Sequence, residues 1–126
     1  MPASWPPIIG ERLPSADKAF GIVEKLTAYC LNLDHEIGAH KARMFQRLLG
    51  IDAADVAYLA DVLQRGVRNA PITDIRDNTP FGLLCEVRIP VAGLRDRQDR
   101  AFDIVTSWEL RHAKDAPRLV TAYIDG

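Results

Sequence analysis

The feature that most constrains this chain is the change in apolar spacing at Pro71. Before it, apolar residues recur at three- and four-residue steps, as one face of a helix requires. Val23, Leu26, Tyr29 or Cys30, and Leu33 predict a helix over Val23 to Asn32, broken by the turn formers Asn32-Leu33-Asp34-His35. Met44, Phe45, Leu48 and Leu49 predict a second helix from Gly38 to Leu49, with Gly50 where a left-handed C-terminal cap belongs. Asp52 is the predicted N-cap of a third, whose buried face is Val56, Leu59, Ala60 and Leu63 and which runs to about Asn69. After Pro71 the period falls toward two. Leu83, Cys85, Val87, Ile89 and Val91 alternate against Leu84, Glu86 and Arg88, and Phe102, Ile104, Thr106, Trp108 and Leu110 against Asp103, Val105, Ser107, Glu109 and Arg111. A last extended piece runs from Arg118 through Asp125, after the loops Arg95–Arg100 and His112–Pro117. Helices first and strands after them predict an α+β fold, with about three N-terminal helices packed on a three- or four-stranded antiparallel sheet.

At 126 residues the chain makes one domain, with enough length to bury a core without staples. Residues 1–15 read as a loosely held arm, since Trp5-Pro6-Pro7 cannot enter a helix interior, and Trp5 is free to dock on the body. Residues 16–126 read as the single α+β domain, with Lys18 to Ile22 a short extended piece. No apolar run approaches the roughly 20 residues of a membrane span, and the proline-rich start matches neither a signal nor a transit peptide, so a protein that is cytoplasmic, or delivered into a target cell's cytoplasm, is expected. Cys30 and Cys85 sit among apolar neighbours and read as core thiols of a reducing compartment. Sixteen basic against seventeen acidic side chains give a formal charge of −1, which argues against a protein that wraps a long duplex. An enzyme needing one small basic cluster remains open.

Motifs for metal, nucleotide or serine chemistry are absent. The spacing of His35 and His40 does not make a zinc pair on one helix face, so neither a metal nor a cofactor is expected. The dense polar stretch is His35-Glu36-Ile37-Gly38-Ala39-His40-Lys41-Ala42-Arg43. His40 and Lys41 fall in a first helical turn with Arg43 one turn above His40, where an imidazole and two cations can hold a phosphate and move its protons. The same spacing also suits a solvated helix face. Thr106 and Trp108 could present a hydroxyl and an indole to a nucleotide, although the parity of Trp108 with Ile104 and Leu110 favours the core. Arg88, Arg118, Thr121 and Tyr123 either line a sheet surface or fill their strands.

These residues carry a resemblance. Tyr29-Cys30-Leu31-Asn32 with His35-x-x-Gly38-x-His40-Lys41-Ala42-Arg43, Thr106-x-Trp108-x-Leu110-Arg111 and Pro117-Arg118-Leu119-Val120-Thr121-x-Tyr123 resemble a group of short bacterial domains found alone and as C-terminal tips of polymorphic toxins. More remotely the chain resembles the barnase, colicin D and RelE class of metal-independent ribonucleases. In the colicin D branch a lysine–histidine pair and an S-x-W belong to the tRNA-cutting site. His40-Lys41 and Thr106-x-Trp108 lie on that pattern with Thr for Ser and the pair reversed. The resemblance implies a toxin endoribonuclease acting on tRNA or another structured RNA, with a cognate antitoxin or immunity protein. His40, Lys41, Arg43, Arg88, Thr106 and Trp108 would be catalytic, and His35, Arg111, Arg118, Thr121 and Tyr123 would bind substrate. The competing expectation is a non-catalytic protein-binding module, such as a partner in a toxin system.

Overall fold

The computed structural model describes residues 6–78, 80–112 and 115–125, and the expected docking of Trp5 lies outside them. Helix α1 (Ile22–Lys25) runs into a π-helical turn (Leu26–Cys30), followed by α2 (Ala39–Leu49) and α3 (Val56–Asn69). Four strands complete the chain: β1 (Ile72–Asp77), β2 (Leu83–Ala92), β3 (Ala101–Leu110) and β4 (Arg118–Ile124). They form one antiparallel sheet in sequence order. The fold is α+β, three helices and then a four-stranded meander.

The predicted caps explain where the helices stop and start. Gly50 takes φ 65°, and the N–H groups of Gly50 and Ile51 close back on Gln46 and Phe45 at 3.0 and 3.2 Å. A Cβ at Gly50 would also meet the Leu94 carbonyl oxygen at 2.8 Å, so position 50 needs glycine for two separate reasons. Asp52 and Asp55 form a reciprocal capping box that starts the turn Ala53–Asp55 leading into α3. The charged loop after β2 is tied down. Arg95 grips Asp55 with two 2.9 Å bonds and the Gly50 carbonyl at 2.7 Å, while Arg97 donates to the Arg47 carbonyl at 3.1 Å.

All helices cover one face of the sheet, with α3 on β2 and with α1 and α2 along the edge strand β4. Leu26, Phe45, Leu49, Leu59, Leu63 and Val67 meet Cys85, Val87, Ile89, Ile104, Trp108 and Leu110 in a core with no solvent exposure beyond 1 %. The period of two on β2 and β3 therefore reads out burial directly. The described part of the arm is held at β1, where Gly10 and Glu11 pair with Ile72 and Leu13 is buried. Phe20 makes a single parallel bridge to Arg118, the only extended contact of the 18–22 piece among the described residues. Both thiols are buried and free; burial pushes Cys85 up to about 11 and raises Cys30 as well, so neither is a nucleophile at neutral pH.

Candidate functional site

The start of α2 is built by the residues just before it. Asn32 Oδ1 accepts from the Asp34 N–H at 2.9 Å, and His35 Nδ1 accepts from the N–H groups of Ile37 and Gly38 at 3.0 and 2.9 Å. An imidazole accepting at Nδ1 carries its proton on Nε2. Gly38 lies against the Tyr29 backbone, and a Cβ there would drive into the Tyr29 carbonyl. The His35-x-x-Gly38 spacing is thus a local turn device that sets the angle of α2. The His35 ring also meets the Tyr29 ring edge-on at 4.8 Å.

Lys41, two residues into α2, reaches the edge strand. Its Nζ donates to Thr121 Oγ1 at 3.0 Å and to the Tyr29 hydroxyl at 3.4 Å. It lies 4.9 Å from the centre of the Tyr29 ring and 5.3 Å from that of Tyr123, so two π faces share one cation. Among the described residues no carboxylate lies within ion-pair distance of it. A bulge in the β3–β4 pairing beside Trp108 puts one extra residue, Val120, into β4. It lets Leu119 and Ala122 both face the core and falls next to Thr121. The π-helical turn brings Tyr29 to the same place, because its wider winding buries Leu26, Cys30 and Leu31 together.

His40 is exposed, and its side chain bonds to no neighbour among the described residues. With Lys41, Met44, Tyr123, Ile124 and Asp125 it lines a cavity of about 230 Å³. On its other side it joins Arg43, Met44, Gln46 and Arg47 around a second hollow of about 300 Å³. The residues His40, Lys41, Thr121 and Tyr123, expected from separate motifs, are brought together, with Arg43 alongside.

The remaining expected residues lie elsewhere. Thr106 and Trp108 are fully buried on the core face. The indole N–H donates to Thr106 Oγ1 at 2.7 Å, and that hydroxyl donates to the Val87 carbonyl at 2.6 Å. Neither can touch a substrate, and the catalytic roles expected for them are corrected to one structural role: the threonine satisfies a buried indole. Arg88 is on the outer face of the sheet, bonded to Asp125 at 2.8 Å and near Glu86 at 3.5 Å. Its partner Asp125 lines the His40 cavity, and Arg88 itself does not. Arg111 and Arg118 converge on Glu109 at 3.2 and 3.0 Å, beside a different hollow that Phe20 and Asp115 also line. Residues that spacing alone did not mark as functional are Tyr29, whose helical period assigns it to the apolar stripe, and the carboxylates Glu109, within the alternation of β3, and Asp125, just after β4.

Two carboxylates, Glu109 and Asp55, make a prediction about acid. Burial pushes the Glu109 carboxyl up, but the Arg118 and Arg111 guanidiniums outweigh it and hold it below its ordinary value. Asp55 is also held low, chiefly by its bonds from Arg95. The unfolded chain therefore takes up these protons first as pH falls. Stability from both groups should be whole above about pH 5 and decline as pH drops through the usual carboxylate range, near 4, and below it. Urea midpoints measured from pH 6 to pH 2.5 should show this fall, and Arg95→Ala should make it shallower. An unchanged slope in that variant would contradict the assignment to Asp55.

Among the described residues no group of three or more histidines, cysteines or carboxylates is placed to hold a metal ion. No described helix is long and apolar enough to cross a membrane. No curated protein and no solved structure matches the chain. Residues 12–126, nearly the whole of it, match the family described as a domain of unknown function, DUF6883, and the chain belongs to that family.

Proposed function

We propose that this protein is an endoribonuclease of the toxin type that cuts tRNA or another structured RNA without a metal ion. The observation that carries the reading is the shared cavity of His40, Lys41 and Tyr123, with Arg43 and Arg47 in the adjoining hollow. An imidazole with no side-chain partner among the described residues stands beside an ammonium that no described carboxylate neutralises. That pairing suits a phosphodiester whose neighbouring 2′-hydroxyl is the nucleophile. His40 takes the 2′-hydroxyl proton as the oxygen attacks phosphorus, the bond to the 5′-oxygen breaks, and water protonates the leaving oxygen. Lys41 and Arg43 bond the non-bridging oxygens as their charge grows. Thr121 and Tyr123 position the Lys41 ammonium. Arg118 adds an outlying phosphate contact, while Arg88, already paired with Asp125, contributes little.

A cognate antitoxin or immunity protein would meet this basic surface with carboxylates, since opposite charge speeds encounter and fixes register. The second reading, a non-catalytic protein-binding module, draws on Leu33 and Ile37, which stand 43 % and 71 % exposed in the segment leading to α2. Induced expression in bacteria, followed by sequencing of RNA ends, separates the two. Growth arrest with new RNA ends at recurrent sites supports the ribonuclease. Normal growth with an unchanged RNA profile supports the binding module.

A further inference from the structure

Another cavity, of about 610 Å³, opens beside Tyr29 on the surface between α1, its π-helical extension and the start of β4. Phe20, Tyr29 and His35 supply three aromatic rings to its wall, and Phe20 is half exposed. Lys25 and Arg118 supply two cations against the single carboxylate of Glu24. Arg118 spends one nitrogen on Glu109, and Lys25 lies 6.0 Å from the Tyr29 ring with no ion pair among the described residues. Rings beside a net positive rim fit a planar base that carries a phosphate. Tyr29 is common to this wall and to the Lys41 cage, so the two places adjoin through one side chain.

We propose that this cavity binds the base of a nucleotide next to the scissile phosphate, stacking it on the aromatic wall while Lys25 and Arg118 meet its phosphate. The proposal rests on the ribonuclease reading and deepens it. A base inside the cavity cannot be paired, so the substrate is an RNA with an unpaired nucleotide at the cut, as in a loop. Stacking accepts any base, so the preference is for strandedness rather than for sequence.

The test is an amide NMR titration of the full chain with adenosine 5′-monophosphate and, separately, with ribose 5-phosphate. Saturable shifts at Gly21, Ala28 and Leu119 with the nucleotide are expected, with ribose 5-phosphate at least about tenfold weaker. Phe20→Ala should weaken the nucleotide about tenfold, because it removes an exposed ring and leaves the backbone bridge to Arg118. Equal affinity for the two ligands, shifts confined to other residues, or no loss in Phe20→Ala would overturn the proposal. Nucleotide binding here in a protein that never cleaves RNA would support the cavity and overturn the ribonuclease reading. Cleavage without nucleotide binding here would do the reverse.

Discussion

Trp108→Ala is expected to destabilise the protein by about 3–5 kcal/mol, the largest loss among the substitutions considered. Its side chain has no exposure and lies among the helices and the sheet, so truncation leaves a cavity that the close-packed core cannot fill. Against a total stability of about 5–15 kcal/mol this approaches unfolding. Thr106→Val is the sharper test. It keeps the volume but strands a buried indole N–H, at a cost of about 1–3 kcal/mol. Urea unfolding followed by tryptophan fluorescence measures both. A Thr106→Val protein as stable as the parent, yet altered in RNA cleavage, would restore the catalytic assignment that the burial removes.

The second large effect is on rate. His40→Ala should lower RNA cleavage by about 10²–10⁴-fold, the usual contribution of a positioned general base. Because His40 is exposed and bonded to no described side chain, its stability should stay within about 0.5 kcal/mol of the parent. Lys41→Arg should also lose rate, since a planar guanidinium does not fit the ring-lined place of an ammonium held by Thr121 and Tyr29. Loss of stability in His40→Ala in step with the loss of rate would mark the imidazole as a packing residue.

The layers of the fold were legible because burial imposes its period on the sequence. Alternation on β2 and β3 assigned Cys85, Val87, Ile89 and Ile104 to the core, and Gly50 and Asp52 marked the helix ends through backbone requirements that few residues meet. The same parity placed Trp108 inside, and the structure follows parity rather than the T-x-W motif. The site was legible in pieces. Lys41 stood in one motif and Thr121 and Tyr123 in another, and only the packing of α2 along the edge strand brings them together. Tyr29 was hidden because a π-helical turn changes the residue that faces inward, and no residue type signals that turn. Arg88 looked free in the sequence because its partner Asp125 is 37 positions away.

RNA cleavage by the protein alone is the most direct test of a ribonuclease. Purified protein, incubated with a tRNA mixture in EDTA, should produce fragments ending in 2′,3′-cyclic phosphate with 5′-hydroxyl partners, and should spare DNA of the same sequence, which has no 2′-hydroxyl. Intact RNA under these conditions, or fragments carrying 5′-phosphates, would contradict the ribonuclease reading.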